Sequence, residues 1–485
     1  MDSFDISRVG FDPLKHYSGV RMQQGRVITD DDYNENNRIA SEQERRNNLH
    51  IIGSTGSPDN GFRILNIRNE NGRFDFDISP GSIYVGGLRF EMDALKLKEK
   101  LKPGKNDLNS KRKRTFETYR TQRDWLQQPD ETEYKPRLDS GVDRYDLVYI
   151  ECWQQEVSAV EDSELLEVAF GGPDTGVRIR NMRRVKINVD IGEADCVRAW
   201  QKQIQNWKDN LMGTLNNENE LIHDVHLKVS FLKNPVTDIH IAPSNSSGYR
   251  GLGNEAIRVQ LTDKDHFTWG LNNASPLYKV AVNKDILTFI SPLNDLEHWP
   301  HSRQVVEILP CAAILPNGEK IAEMTGFFTK INDSSNSNSG KFKMDMPFPS
   351  NFGTAWKKIM DYIEPDKQDP AEFFYLRVWN RDTDLSSPAI IPISTGTPVP
   401  LGNTGLAVTI TGKDRICNDF WVIAARQNTP NRVVPWKLEV SASPNGVRRF
   451  YAPLAILHWH DNGVSIGGYI LHDCRRNFRP LTELM

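Results

Sequence analysis

Residues 73–92 read RFDFDISPGSIYVGGLRFEM, and much of this stretch alternates polar and apolar side chains with the period of a β-strand. Ser79-Pro80-Gly81 interrupts the pattern once, and Gly86-Gly87 interrupts it again. Both interruptions are typical of turns, because proline fixes φ and glycine tolerates positive φ. The stretch therefore predicts successive hairpin strands rather than a helix.

Short strands separated by turns are predicted along most of the remaining chain. Residues 145–153 are apolar enough for a central strand, and residues 183–189 alternate again. Further strands are predicted at 225–231, 256–261, 286–290, 305–309, 373–379, 406–411, 420–424 and 451–457. We therefore predict a β-rich α+β fold with several β-sandwich or barrel-like domains.

A polar helix is predicted over residues 31–50. Thr29 and Asp30 offer an N-cap, and Asp30, Asp31 and Asp32 supply the acidic first turn that the helix dipole favours. Because this helix has few apolar positions, its own face cannot hold it to a core. We expect it to be solvent-bridging or to lie against a partner.

Two further helices are predicted. Between residues 194 and 211 apolar positions recur at steps of three and four, which is typical of an amphipathic helix. We interpret Trp200 and Trp207 on that stripe as core anchors. A short helix is predicted over residues 354–363.

The length of 485 residues corresponds to roughly three domains at ~100–200 residues each. The pattern divides the chain into an amino-terminal arm and helix (1–60), a first β domain (61–192), a helix with a second β-rich domain (193–345) and a carboxy-terminal β domain (346–485). A charged excursion at 96–144, read as a long loop, interrupts the first β domain.

Charge and hydropathy exclude several classes of protein. The formal net charge is −4, which provides no overall field to attract nucleic acid or anionic lipid. No apolar run approaches the ~18–20 residues of a membrane span, and the first residues lack the basic flank and apolar stretch of a signal peptide. We therefore expect a cytoplasmic protein with no membrane insertion and no nucleic-acid partner.

The cysteines and histidines do not predict a cofactor. The five cysteines are widely spaced and include no CxxC pair, so we expect no disulfide and no zinc site. His458 and His460 could share one face of a strand, but no third ligand type completes the pair. Chelator and reductant are accordingly expected to leave stability unchanged, and no metal or other cofactor is expected.

No sequence motif for catalysis is found. There is no HExxH and no phosphate-binding glycine loop, so we do not expect an enzyme. Tryptophan-rich β-sandwiches can bind sugars, which leaves a carbohydrate-recognising, fibre-like module as an alternative. Several of the eleven tryptophans lie within strand or helix periodicity, however, which favours core positions.

Seven stretches together resemble an uncharacterised bacterial protein family found beside phage-tail-like genes, including those of contractile injection systems. The first, residues 16–35, is also similar to the amino-terminal arm common in tail and baseplate proteins. The others are 76–88, 156–162, 171–175, 248–252, 451–455 and 473–476. The resemblance implies a structural subunit of a contractile particle, in or around the baseplate and spike, and brings no catalytic residues with it. A cap or plug component and a loaded cargo protein remain alternatives.

The expected partners are further copies of the chain and neighbouring baseplate, spike, tube or sheath proteins. Because contractile tails have sixfold and threefold symmetry, we expect a cyclic arrangement of three or six copies within the particle, with six preferred. The predicted interface consists of Arg21, Gln24, Gly25, Arg26, Asp30, Asp31, Asp32, Tyr33, Asn34 and Glu35 in the amino-terminal segment, and Lys111, Arg112, Lys113 and Arg114 in the excursion. An acidic helix start facing the basic run of a neighbour would be a salt-sensitive contact.

Overall fold

The computed structural model describes residues 4–70, 73–94, 116–128, 143–233, 248–251, 253–290, 300–333, 340–356, 372–461 and 466–479. Helix α1 is Asp30–Ile51 and helix α2 is Cys196–Asp209. The strands of the first half of the chain are β1 (Thr55–Gly56), β2 (Ile64–Glu70), β3 (Arg73–Ile78), β4 (Gly81–Val85), β5 (Leu88–Met92), β6 (Glu117–Thr118), β7 (Arg144–Val157), β8 (Arg178–Asn188), β9 (Thr214–Leu215), β10 (Leu221–Ile222) and β11 (His226–Phe231).

The strands of the second half are β12 (Glu255–Leu261), β13 (His266–Gly270), β14 (Leu277–Asn283), β15 (Ile286–Phe289), β16 (Val305–Leu309), β17 (Cys311–Ile314), β18 (Lys320–Ala322), β19 (Phe327–Asp333), β20 (Lys341–Met344), β21 (Phe374–Trp379), β22 (Ile391–Pro392), β23 (Val399–Pro400), β24 (Leu406–Thr411), β25 (Phe420–Ala425), β26 (Val433–Val434), β27 (Arg449–Asp461) and β28 (Ile466–Asp473). Most lie within a few residues of the predicted strands, because apolar alternation marks the pleat directly.

The first unit is built from both ends of the chain. Its central sheet has the order β28-β27-β7-β8, with every neighbouring pair antiparallel. Two small sheets, β1-β4-β5 and β2-β3-β6, contribute to the same apolar core. That core includes Phe76, Phe90, Val148, Phe450 and Trp459.

The second unit is a β-sandwich and the third is a barrel. The five-stranded sheet β22-β13-β12-β25-β26 and the three-stranded sheet β11-β24-β23 share one core that includes Trp269 and Trp421. The barrel closes in the order β14-β15-β20-β19-β16-β21 around a core that includes Phe342 and Phe374. The prediction of a β-rich α+β fold with sandwich and barrel units is therefore confirmed.

Strand pairing crosses the sequence boundaries predicted at residues 192 and 345. Strand β27 pairs with β7 over ten residue pairs, and the barrel takes β21 from beyond residue 345. The described part of the 96–144 excursion also differs from the predicted loop. Tyr119 and Leu126 are buried and β6 pairs with β3, because this charged segment carries enough apolar side chains to enter a core. Residues 357–363 of the predicted helix at 354–363 lie outside the described residues.

Helix α2 covers one face of the central sheet. Trp207 is buried against Tyr451, and Trp200 packs partly buried beside Tyr149, as expected of core anchors. The ends of the predicted stripe, Val197 and Leu211, are exposed. The apolar face of α2 is therefore shorter than the sequence suggests.

The expectation of no disulfide is wrong for one pair. Cys196 and Cys474 are disulfide-bonded across 278 sequence positions, with Cα atoms 5.6 Å apart. Cys196 begins α2 on the sheet face and Cys474 directly follows β28, so the fold brings together residues whose spacing gave no sign of contact. Cys152, Cys311 and Cys417 are free thiols, and burial raises the pKa of Cys311 and Cys417 to about 12.

Candidate assembly surface

The amino-terminal segment is fixed to the body of the protein before it becomes exposed. Ile6 and Val9 are buried in a core shared with Trp153. The Asp31 carboxylate accepts a hydrogen bond from Arg8 Nε at 2.6 Å and from the Gly10 amide at 2.9 Å. A Cβ atom at position 10 would lie 2.6 Å from Asp31 Oδ2, so a larger residue there would displace the Asp31 carboxylate. The segment therefore begins from a rigid attachment.

The start of α1 forms the second attachment. Thr29 and Asp32 make a reciprocal capping box, in which each side chain accepts a hydrogen bond from the backbone N–H of the other. These bonds from Thr29 hold the pKa of Asp32 below its ordinary value. Partial burial raises the pKa of Asp30, but hydrogen bonds from Ser7 outweigh it and the pKa is lowered. All three predicted carboxylates thus have partners within the chain.

Residues 13–29, which we call the exposed arm, connect these two attachments and end at Thr29, the N-cap of α1. Apart from a single-turn 3-10 helix at Pro13–Lys15, it has no regular secondary structure. Every residue in it except Val20 is exposed, and Leu14 and Val27 are 81% and 87% accessible. Such a series of exposed apolar side chains on a fixed segment is typical of a binding surface.

The predicted residues Arg21, Gln24, Gly25 and Arg26 all lie in the exposed arm. The Arg26 amide donates to the Gln23 carbonyl across a turn in which Gly25 has φ +71°. A concavity of about 110 Å³ is lined by Val20, Arg21, Met22, Gln23, Arg26, Val27 and Asp32. Within the described part of the chain neither arginine forms an ion pair, so both guanidinium groups are available to an external carboxylate.

Helix α1 lies against the body of its own chain, and this corrects the expectation that it would be solvent-bridging or need a partner. Arg45 is 4% exposed and donates to Glu42, to the Gly86 carbonyl and to Glu218. Arg448, which directly precedes β27, also pairs with Glu42, and its Nη1 lies 3.2 Å from Glu42 Oε2. These ion pairs around the buried Arg45, together with Ile39, replace the missing apolar face.

The carboxylate of Glu42 is strongly stabilised in its charged form. Burial by itself would raise its pKa, but hydrogen bonds from Arg45 and the charge of Arg448 outweigh burial and lower the pKa to about 2. The contact between α1 and the body of the protein is therefore mainly electrostatic. A sequence pattern of apolar residues does not indicate such a contact.

The remaining predicted interface residues fall into two groups. Tyr33 is exposed on α1, whereas Asn34 and Glu35 are half-buried beside the Arg8–Asp31 contact. Residues Lys111, Arg112, Lys113 and Arg114 lie outside the described residues, so their pairing with the acidic helix start stays a prediction. Asp31, which is 2% exposed, faces its own chain.

The histidine pair considered as a metal site has other contacts. His458 Nδ1 lies 2.7 Å from the Tyr469 hydroxyl, its ring stacks on Tyr145, and its Nε2 is 3.1 Å from Asp143. Among the residues that the structure describes, no three histidine, cysteine, aspartate or glutamate side chains are grouped to hold a metal ion. In the same ranges no helix is long and apolar enough to cross a membrane.

The fold and surface define a multi-unit β-rich protein with a fixed, exposed amino-terminal arm. Comparison with known proteins adds one match: residues 2–90 match a family of unknown function, DUF6519. The matched segment contains the exposed arm, α1 and β1 to β4. No curated protein and no solved structure matches the chain.

Proposed function

We propose that this protein is a structural subunit of a phage-tail-like contractile injection particle, in or around the baseplate and its spike. It acts by binding copies of itself and neighbouring tail proteins. Its β units serve as structural parts of the particle and do not catalyse a reaction. The observation that carries the proposal is the exposed arm, because its apolar side chains are presented to solvent between two rigid attachments. Residues 16–29 of the arm lie in the stretch that resembles the arms of tail proteins.

The arrangement favours assembly over sugar recognition. Carbohydrate sites use exposed aromatic platforms, whereas Trp153, Trp379 and Trp421 are fully buried. In the described ranges Trp436 is the exposed tryptophan, and Arg432 lies 4.8 Å above its ring. A single exposed tryptophan of this kind gives little support to a sugar-binding function, and no observation favours the cap or cargo alternatives.

The test is incorporation of an arm variant into particles. Residues 14–27 are replaced by a short Gly/Ser linker, which keeps the attachment at Ile6–Gly10 and the capping box of α1. We expect the variant to fold with an unchanged thermal midpoint but to be absent from purified particles, in which the unaltered chain co-purifies with sheath and tube at fixed stoichiometry.

The matched control is Val440→Ser, because Val440 is an equally exposed apolar residue outside the arm. This variant should enter particles normally. Normal incorporation of the arm variant, or a chain that never co-purifies with sheath and tube, would contradict the proposal.

A further inference from the structure

A second exposed apolar surface lies on the loop of residues 161–176, which we call the acidic loop. Val168 and Phe170 at its tip are 83% and 75% exposed. The loop carries Glu161, Asp162, Glu164, Glu167 and Asp174 and has no lysine or arginine. The loop therefore combines an apolar tip with acidic side chains, of which Glu164 and Asp174 are exposed.

The acidic loop is held in shape by hydrogen bonds to neighbouring segments at its base and by hydrogen bonds of its own at its tip. At its base Glu161 is buried, and its carboxylate accepts hydrogen bonds from the Ser158 and Ala322 amides at 2.8 and 2.9 Å. At its tip the Glu167 amide donates to the Pro173 carbonyl, and the Glu167 side chain accepts from the Ala169 amide. Because the loop is rigid, little conformational entropy is lost when Val168 and Phe170 bind another surface.

The exposed arm has the complementary composition. It carries Lys15, Arg21 and Arg26 and has no aspartate or glutamate, and its apolar residues Leu14 and Val27 are as exposed as Val168. No hydrogen bond or ion pair joins the arm to the acidic loop within the described residues, and both remain exposed to solvent. The basic, apolar arm and the acidic, apolar loop are therefore complementary in charge, and neither contacts the other within the chain.

We infer that the exposed arm of one copy binds the acidic loop of a second copy of this chain. Arg21 and Arg26 face Glu164 and Asp174, whose carboxylates form no ion pair within the described part of their own chain, and Leu14 and Val27 pack on Val168 and Phe170. The inference rests on the proposed assembly role and names the partner for the arm. Because the two surfaces differ, the contact is heterologous and produces a ring or an open filament rather than a twofold dimer.

The experiment uses photo-crosslinking between purified full-length copies, in the absence of other tail proteins. p-Benzoylphenylalanine replaces Phe170 in one copy, and the second copy is isotope-labelled so that intermolecular products are recognised by mass. We expect crosslinks from position 170 to labelled peptides of residues 13–29. Crosslinks that stay within one chain, map elsewhere or do not form would overturn the inference.

Charge reversal gives a sharper readout. An arm variant, Arg21→Glu with Arg26→Glu, and a loop variant, Glu164→Arg with Asp174→Arg, should each lose the crosslink by roughly tenfold or more when tested alone, because like charges then face each other. Mixing the two variants places opposite charges together again and should restore the crosslink. A matched control, Lys228→Glu with Lys413→Glu, reverses exposed charges elsewhere and should have no effect. Loss without restoration on mixing, or an equal loss in the control, would contradict the contact.

The mixture also reports copy number. Opposite charges meet only where the two variants alternate, so closed rings from the mixture must contain an even number of copies. If the unaltered chain closes at six copies, sedimentation should show the same ring from the mixture; if it closes at three, the mixture cannot close that ring. Because no tail protein is present, failure of this contact is distinguishable from failure to co-purify with sheath and tube, which tests the proposed function.

Discussion

Arg45 donates from Nη1 to Glu218 Oε2 at 2.8 Å, across 173 positions of sequence. Arg45 lies near the end of α1, and Glu218 lies in the connection between β9 and β10. This bond and those to Glu42 and Gly86 fix α1 to the body of the protein. The exposed arm, which precedes α1, is thereby held at a constant position for its partner.

Substitution of Arg45 should measure the strength of this attachment. Arg45→Gln removes the guanidinium but leaves the carboxylate of Glu42 largely buried, so we expect a loss of ~3 kcal/mol in the free energy of unfolding. Arg46→Gln is the matched control, because Arg46 also contacts Glu42 but is 50% exposed, and it should cost less than ~1 kcal/mol. Chemical denaturation of both variants decides the point, and equal losses would show that burial of Arg45 has no special effect.

The Glu42 contact should make stability depend on pH in the acidic range. The pKa of Glu42 is about 2 in the folded protein against an ordinary value of 4.5, so its contribution is complete above about pH 4.5 and is lost as pH falls towards 2. Compared with Glu42→Gln, the unaltered protein should be more stable by on the order of 2 kcal/mol at pH 6, and this difference should shrink between pH 4.5 and pH 2. Denaturant unfolding across this range measures it, and a difference that stays constant would contradict the lowered pKa.

Strand positions could be predicted from the sequence, whereas strand partners could not. Alternation within β3 or β7 reflects local burial on a pleated surface, so it is visible in a window of a few residues. The pairing of β27 with β7 depends on which apolar faces share a core, and no local pattern encodes that choice. Prediction therefore succeeded for elements and left the arrangement of the units open.

The candidate site was predicted in part. The N-cap at the start of α1 follows from a short-range pattern, whereas Arg21 and Arg26 were named because they lie in the stretch that carries the family resemblance. The burial of Ile6 and Val9 was not predicted, because two apolar residues in a polar segment give too weak a signal. Within the acidic loop, residues 171–175 stand out in the sequence only through the family resemblance, since the importance of the loop depends on the exposure of Val168 and Phe170.

The disulfide should contribute to stability, contrary to the expectation from cysteine spacing. Reducing Cys196–Cys474 releases a cross-link between residues separated by 278 positions, and we expect a loss of ~2–5 kcal/mol in the free energy of unfolding. Cys196→Ser with Cys474→Ser should be equally destabilised and should no longer respond to reductant. Thiol titration after unfolding should find three free thiols in the oxidised protein, those of Cys152, Cys311 and Cys417. Five thiols, or no effect of reductant on unfolding, would show that the bond does not form.

Gly87 should be essential for seating α1, and Gly171 provides a matched comparison. Both have positive φ, +80° and +90°, so alanine at either position costs ~1–2 kcal/mol of backbone strain. At Gly87 a Cβ atom would also lie 2.3 Å from the Arg45 carbonyl oxygen, whereas at Gly171 it would meet nothing within 4 Å. Gly87→Ala therefore adds a collision with the helix backbone that no rotamer change can relieve. We expect Gly87→Ala to destabilise the protein by more than Gly171→Ala and to increase hydrogen exchange throughout α1, while Gly171→Ala leaves α1 protected. Equal effects of the two substitutions would mean that α1 does not approach the turn between β4 and β5 closely, and the arm would then lose its fixed base.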